Sequence, residues 1–250
     1  MKPTPLLTAH TGCMGAADNS LLSIETACHS GVDIVEEDIL ITADGILVLS
    51  HDDNVHTMNG MEYRISQMTY EALSHLDIKA HHGSPGETSR ILTLESVLPL
   101  IQASSKKMNL DIKSDACIEP LSRFVAKHGL MDQVFLSGCM TSRAHYVTSV
   151  NPFLRKLLNV DATLFINENY LETATMSCED AKSANCFGLN LNYRIVKPEL
   201  LQIAAKYELK VYIWTVDTEA EMRHFMEMGV HGITARQISE LVRVKKELGK

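Results

Sequence analysis

The chain has 250 residues, 45% of them hydrophobic and 22% charged, and a formal net charge of −8. This composition is ordinary for a globular protein and excludes a wholly disordered, collagen-like or coiled-coil chain, while the net acidity argues against nucleic-acid binding, which depends on neutralising phosphates. No stretch approaches the ~20 apolar residues of a membrane-spanning helix, no secretory signal opens the chain, and the six cysteines lack zinc-site spacing, so we expect a cytoplasmic protein with reduced thiols.

Short apolar runs alternate with helix-length segments along the chain. The runs predicted as strands lie at residues 6–9, 32–41, 47–50, 108–112, 133–136, 156–160, 186–191, 211–216 and 232–234. Helices are predicted over residues 19–30 and 93–103. Two more begin near Pro198, as is typical of a first helical turn, and near Thr218, which forms a capping-box pattern with Glu221. The alternation predicts β-α-β units and therefore a parallel sheet.

One junction breaks this alternation. Only five residues, 42–46, separate the second run from the third, and they contain Asp44-Gly45, a strong hairpin signal. Such a connection is too short for a parallel crossover, so the run at 47–50 should lie antiparallel to the one before it. Eight parallel strands remain, the number in a (β/α)8 barrel. We therefore predict one domain over residues 1–250, a TIM barrel with an antiparallel hairpin arm after the second strand and a short loop insertion at about 53–90; a doubly wound open sheet is the alternative.

Ionisable side chains collect at the C-terminal ends of the predicted strands, which is where (β/α)8 barrels hold their sites. They are His10 after the first strand, Glu36 and Asp38 at the end of the second, His51 after the hairpin arm, and Asp111 and Lys113 at the end of the run at 108–112. Because side chains alternate along a strand, the acids at 36 and 38 project to the same side. We expect all six side chains to meet at one rim of the barrel.

The three carboxylates indicate a cation site. Carboxylates that lie close together repel one another unless they are protonated or bridged by a cation, and oxygen ligands favour Mg²⁺ or Ca²⁺ over zinc or copper. A divalent cation on Glu36, Asp38 and Asp111 could bind a phosphate oxygen, and Lys113 would add a second positive charge. Two imidazoles could then share acid and base roles, which favours metal-assisted cleavage of a phosphoryl ester. Each motif alone is more often structural, so the prediction depends on their order and spacing together.

The same motifs, in the same order, resemble the glycerophosphodiester phosphodiesterase family. The matching segments are His10-Thr11-Gly12 for the family's H-R-G, residues 31–45 for its G-A-D-x-I-E-x-D-V-x-L-T-x-D-G block, His51-Asp52 for H-D, Asp111-Ile112-Lys113 for E-I-K, and Ile213-Trp214-Thr215-Val216-Asp217 for V-W-T-V-N. The long second block followed by H-D is specific, whereas the other segments are individually weak. The resemblance runs from about Leu7 to Ala235, nearly the whole chain.

This resemblance implies a TIM-barrel enzyme that hydrolyses a small-molecule glycerophosphodiester to glycerol 3-phosphate and an alcohol with the help of Mg²⁺ or Ca²⁺. By position, the implied site residues are His10 and His51 as acid and base, Glu36, Asp38 and Asp111 as metal ligands, and Thr11, Lys113 and Trp214 as substrate contacts. Which histidine protonates the leaving alcohol stays open, as does assembly into a homo-oligomer.

Several positions depart from the family pattern. Thr11 stands where the family has arginine, so a bidentate phosphate clamp is missing, and Asp111 is one methylene shorter than the family's glutamate. Glu37 stands where an apolar residue is usual. No spacing argument selects a replacement cation among the loop candidates, which are Arg64, Lys79, His81, His82, Arg90 and Arg194. Two alternative functions therefore stay open: a non-catalytic barrel that binds a phosphorylated ligand, and a lysophospholipase D-like enzyme that releases a cyclic phosphate.

Overall fold

Eight parallel strands form a nearly closed barrel in the computed structural model of the chain, which describes residues 4–80, 82–84, 86–167 and 169–249. In chain order the strands are β1 (Leu6–Ala9), β2 (Ile34–Ile41), β3 (Leu47–Leu49), β4 (Asn54–His56), β5 (Glu62–Arg64), β6 (Ile78–Lys79), β7 (Thr88–Ser89), β8 (Lys107–Ile112), β9 (Val134–Ser137), β10 (Leu157–Asn159), β11 (Gly188–Asn192), β12 (Lys210–Trp214) and β13 (Gly232–Ala235). The helices are α1 (Leu21–His29), α2 (Tyr70–Ser74), α3 (Leu94–Ser104), α4 (Ile118–Lys127), α5 (Thr141–Val150), α6 (Leu164–Asn167), α7 (Tyr170–Ser183), α8 (Pro198–Lys206), α9 (Glu219–Met228) and α10 (Ile238–Glu247), with short 3-10 helices at Cys13–Gly15, Ile65–Gln67, Asp115–Cys117 and Tyr193–Ile195.

The strand order confirms the predicted barrel. Neighbouring strands follow the order β10-β11-β12-β13-β1-β2-β8-β9, and every pair along this path is parallel. The two end strands meet at a single parallel bridge between Leu136 and Lys156, so the sheet closes almost completely. A doubly wound open sheet would leave its edge strands apart, and that alternative is excluded. The predicted strand boundaries differ from the observed ones by at most two residues.

The hairpin arm also lies as predicted. Strand β3 pairs antiparallel with β2 through Leu40 and Val48, and the Ser50 backbone N–H donates to the Asp38 carbonyl oxygen at 3.2 Å. Ala43 and Asp44 form the turn, which the Gly45 backbone N–H closes by donating to the Thr42 carbonyl oxygen at 3.0 Å, with Gly45 at a φ of 82°. The antiparallel return brings the residues after Ser50 back to the C-terminal end of β2.

The segment at 53–90 has more structure than the loop predicted for it. It contains two small antiparallel pairs, β4 with β5 and β6 with β7, and the one-and-a-half-turn helix α2. Its buried residues Val55, Ile65 and Leu73 pack with Leu40 of β2 and Val48 of β3 in an apolar cluster of their own. Strands of two or three residues carry too little alternation to be recognised in a sequence, which is why the sequence predicts only a loop there.

The interior of the barrel changes from apolar to polar along the strands. Near the N-terminal ends, a buried cluster consists of Ile34, Phe135, Leu157 and Tyr212. Two residues further along the same strands lie Glu36, Ser137, Asn159 and Trp214, all of which line a pocket. Since side chains two apart share a face, the apolar cluster forms the floor and the polar residues form the wall above it. The larger apolar core lies between the strands and the outer helices.

Among the described residues, no helix is both long and apolar enough to cross a membrane.

Candidate active site

A pocket of about 790 Å³ opens at the C-terminal end of the barrel. Seven of the eight predicted site residues line it: His10, Glu36, Asp38, His51, Asp111, Lys113 and Trp214. The eighth, Thr11, is buried and does not line the pocket. Strand ends that are far apart in sequence therefore converge on one cavity, as the alternation of strands and helices requires.

Three carboxylates form the centre of the pocket. Glu36, Asp38 and Asp111 each offer an oxygen atom, and these oxygen atoms all lie within 4.8 Å of one another. Strands β2 and β8 are in register with Asp38 opposite Asp111, which brings these two carboxylates together. Burial, and then the charges of Asp38 and Asp111, raise the pKa of the Glu36 carboxyl well above its ordinary value. The cluster therefore resists carrying its full negative charge unless positive charge is added.

Lys113 supplies part of that charge. Its ammonium lies 2.9 Å from an oxygen of Asp38 and 2.7 Å from Asp111 Oδ2. Burial alone would lower the pKa of Lys113, but the two carboxylates outweigh burial and raise that pKa above its ordinary value. One lysine still leaves a single positive charge against three carboxylates.

A divalent cation fits this donor set. Asp111 Oδ1 is buried and has no hydrogen-bond partner among the described residues, although its other oxygen accepts from Lys113. A buried carboxylate oxygen without a partner is costly, and a cation beside it would remove that cost. The donors are all oxygen atoms, which suit a hard cation. Glu36, Asp38 and Asp111 are thus the residues that would hold it.

His10 is fixed by its neighbours. Its Nδ1 donates to the Thr11 carbonyl oxygen at 2.8 Å, so Nε2 is the basic nitrogen of the neutral ring. Burial, and then the charge of Arg236, lower the pKa of His10, so the ring is neutral at physiological pH. Nδ1 also lies 3.7 Å from Glu36 Oε2, which places the imidazole beside the carboxylate cluster.

His51 is the more exposed histidine. It follows the hairpin arm, and its Nδ1 lies 2.7 Å from Asp52 Oδ1. A carboxylate that accepts from Nδ1 leaves Nε2 to exchange protons with a ligand. The hairpin therefore returns a histidine with an adjacent carboxylate to the pocket, as the predicted meeting of the six side chains at one rim requires.

Thr11 supports the site from outside the pocket. It is 1% exposed, and its hydroxyl donates to Glu37 Oε2 at 2.7 Å while it accepts from the Asn19 backbone N–H at 2.6 Å. Asn19 in turn donates from Nδ2 to Asp38 Oδ2 and accepts the Asp38 backbone N–H, both at 3.0 Å. Thr11 does not line the pocket, so the structure does not place it where a substrate contact was expected. Thr11 instead links the buried carboxyl of Glu37 to Asn19, which orients Asp38.

The pocket also contains cations that the sequence analysis did not select. Arg236 follows β13 and Arg143 lies on α5, and both line the pocket. Applying the strand-end argument to β13, as to the earlier strands, would have found Arg236. Arg143 gives no such signal, since a helical arginine is ordinary on a surface.

The loop cations considered as substitutes for the missing arginine are dispersed. Arg64 and Lys79 line a different cleft, Arg90 pairs with Asp77 at 3.0 Å, and Arg194 lies over the Tyr193 ring. His82 does line the pocket, whereas His81 lies outside the described residues.

The barrel and the carboxylates, lysine and histidines at its open end are those of an enzyme pocket. The family can be stated as well: the sequence pattern of the Glycerophosphoryl diester phosphodiesterase family matches residues 10–238, and the chain belongs to this family. The resemblance noted in the sequence is thereby confirmed.

Individual relatives agree along nearly their whole length. The chain is 26% identical to a glycerophosphodiester phosphodiesterase from Caldanaerobacter subterraneus, over 98% of this chain and 99% of the relative. Among solved structures, a putative glycerophosphoryl diester phosphodiesterase from Silicibacter pomeroyi superposes with a TM-score of 0.82 at 19% identity, covering 99% of this chain and 95% of that one. A phosphodiesterase from Oleispira antarctica, solved with the product sn-glycerol-3-phosphate, superposes with a TM-score of 0.78 at 20% identity and covers 97% of both chains. At these identities the structural likeness establishes the shared fold.

Proposed function

We propose that the protein hydrolyses glycerophosphodiesters to glycerol 3-phosphate and an alcohol in a reaction that depends on a divalent cation, Mg²⁺ or Ca²⁺. The observation that carries the proposal is the convergence of Glu36, Asp38 and Asp111 within 4.8 Å of one another in a pocket that His10 and His51 also line. The Oleispira antarctica relative, solved with sn-glycerol-3-phosphate, supports glycerol 3-phosphate as the product.

The carboxylates and Lys113 have distinct roles in this proposal. Glu36, Asp38 and Asp111 would hold the cation, which when bound would supply positive charge to the phosphate oxygens. Lys113 keeps Asp38 and Asp111 in place through its ion pairs at 2.9 and 2.7 Å and contributes a further charge next to the phosphate. Trp214 lies on the wall with a buried indole N–H that has no partner among the described residues, which suits a donor to the substrate.

The two imidazoles move the protons. A water oxygen attacks phosphorus, the bond between phosphorus and the alcohol oxygen breaks, one histidine takes the proton from water, and the other gives a proton to the departing alcohol. Both rings commit Nδ1 to a fixed acceptor, Thr11 carbonyl for His10 and Asp52 for His51, so in both rings Nε2 is the nitrogen that exchanges the proton.

We also propose that the protein acts in the cytoplasm. The six cysteines are free thiols, and five of them are buried. Buried reduced thiols suit a reducing compartment, where disulfides do not accumulate.

The test uses glycerophosphocholine as substrate and measures release of glycerol 3-phosphate. His10→Ala and His51→Ala should each lower kcat by about 10²- to 10⁴-fold, the usual contribution of a general acid or base, while both variants still fold and unfold cooperatively on heating. His29→Ala is the matched control, because His29 lies exposed on α1 and bonds only the Glu25 carbonyl oxygen in the described structure. A chelator should abolish turnover, and Mg²⁺ or Ca²⁺ should restore it.

Two outcomes would contradict the proposal. Retained turnover in both pocket histidine variants would exclude their acid–base roles, and full activity in a chelator would exclude the cation. Phosphorus NMR of the product distinguishes the remaining alternative, because a neighbouring glycerol hydroxyl that attacks in place of water would release a cyclic phosphate.

A further inference from the structure

Arg236 lies at the end of the last barrel strand, next to His10. The His10 backbone N–H donates to the Ala235 carbonyl oxygen at 3.0 Å, which ties the ends of β1 and β13 together. The backbone of Arg236 is held as well, because its N–H donates to Asp217 Oδ1 at 2.7 Å and its carbonyl oxygen accepts the Met14 N–H at 3.0 Å. The side chain is a quarter exposed and lines the pocket. Its position is therefore fixed while its guanidinium faces the cavity.

The guanidinium of Arg236 makes few polar contacts in the described structure. Its Nε is buried and has no hydrogen-bond partner among the described residues. It forms an ion pair with Asp18, whose Oδ1 lies 3.6 Å from Nη2, but this distance is too long for a hydrogen bond, and that oxygen has no hydrogen-bond partner among the described residues. The other oxygen of Asp18 accepts from His82 Nδ1 at 2.6 Å. A buried guanidinium nitrogen without an acceptor, on a side chain that lines a polar pocket, suits a ligand that supplies the acceptor.

The other two permanent cations of the described pocket wall have their donors committed. Lys113 is shared between Asp38 and Asp111. Arg143 donates from Nη1 to the carbonyl oxygens of Ile112 and Gly138, both at 2.6 Å, and so joins the ends of β8 and β9. The ammonium of Lys113 has no planar pair of N–H groups to offer a ligand. Arg143 also donates from Nε to Asp115 Oδ1, so three contacts hold its guanidinium in the described structure.

We propose that Arg236 binds the phosphate group of the substrate, donating two parallel N–H groups to its non-bridging oxygens. The guanidinium fork matches the spacing of phosphate oxygens, and a phosphate beside His10 would lie within its reach. This assignment rests on the proposed function, because that function places the phosphate beside His10. It explains how a pocket whose residue after His10 is threonine still presents an arginine to the phosphate.

The test measures binding of glycerol 3-phosphate to the cation-loaded protein by calorimetry, with turnover of glycerophosphocholine measured in parallel. Arg236→Gln should raise the Kd by roughly 10- to 100-fold, the range expected for charge-assisted hydrogen bonds, and should lower kcat/KM similarly. Arg236→Lys should recover part of the affinity, because it keeps the charge and loses the fork. Arg194→Gln is the matched control: Arg194 also follows a strand end but lies over the Tyr193 ring and not on the pocket wall.

The readouts separate this proposal from the proposed function. Binding that weakens only in the Arg236 variants, in a wild-type protein that releases no product, would support Arg236 and refute the hydrolytic function. A Kd within 3-fold of wild type in Arg236→Gln would overturn the assignment, as would an equal loss in Arg194→Gln. If thermal unfolding shows that Arg236→Gln is not folded, the Arg236→Lys variant decides the question. A raised Kd for glycerol 3-phosphate in that variant supports the bidentate contact, and an unchanged Kd overturns it.

Discussion

Gly138 offers the sharpest test of how the fold holds the carboxylate cluster. It follows β9 with a φ of 71°, in the left-handed region, and a Cβ there would clash with Asp111 Oδ1 and lie 2.5 Å from the Ile112 carbonyl oxygen. Gly138→Ala therefore meets two separate costs: about 1 kcal/mol for the left-handed backbone, and about 1–3 kcal/mol for overpacking against backbone. We expect a loss of roughly 2–4 kcal/mol in the free energy of unfolding, or about 4–16 °C in Tm for a chain of this size.

Gly129→Ala is the matched control, because Gly129 has a similar φ of 66° but no atom within 4 Å of the added Cβ. It should lose only the backbone contribution, about 1 kcal/mol or 2–4 °C. Calorimetric titration with Mg²⁺ should further show that Gly138→Ala weakens cation binding about 10-fold or more, since Asp111 must move, whereas Gly129→Ala does not. Equal melting temperatures and equal cation affinities in the two variants would refute the argument that Gly138 holds Asp111 in place.

Two further results are expected. Thr11→Val should lower the free energy of unfolding by about 1–3 kcal/mol in urea titrations, because it removes the only hydrogen bond that the described structure gives the buried Glu37 carboxyl. Thr26→Val is the control, because Thr26 is a half-buried residue of α1 whose hydroxyl donates to the Leu22 carbonyl oxygen and not to a buried carboxyl. It should change the free energy of unfolding little, and equal losses would contradict the reasoning. Burial, with a smaller effect of Lys210, lowers the pKa of His231 in the folded chain. The unfolded chain therefore binds that proton more readily, so the contribution of His231 to stability is present above pH ~6.5 and is lost as the pH falls below it. An NMR titration midpoint for His231 at or above that in urea-unfolded protein would contradict this sign.

The barrel was predictable because its strands are short apolar runs that alternate regularly with helix-length segments. Parallel strands buried on both faces form continuous apolar runs, and only the connection at Asp44-Gly45 was too short to return in parallel. The pairs β4–β5 and β6–β7 were not predictable, since strands of two or three residues carry no usable period and gain their stability from packing against Leu40 and Val48. Tertiary packing, which local sequence does not contain, determines that region.

The site divides in the same way. Two residues at i and i+2 on one strand, such as Glu36 and Asp38, lie on the same face of the sheet, and this can be read from their spacing alone. Contacts between elements do not: Asp18 and His82 are 64 residues apart yet bonded at 2.6 Å. Arg236 could be predicted as a site residue because it follows the last barrel strand. Its signal in the sequence is weak, because it is a single cation with no ionisable residue two positions before it on that strand.

The two most unusual residues near the first histidine explain each other. Thr11 directs its hydroxyl to Glu37, which is buried where the family usually has an apolar residue. The hydroxyl at position 11 is thus directed to the Glu37 carboxyl, at 2.7 Å from Oε2. Threonine also connects Glu37 to Asn19, which holds the carboxylate of Asp38. Position 11 thus helps to position the carboxylate cluster from outside the pocket, and in our proposal the residue that contacts the phosphate is Arg236, at the end of another strand.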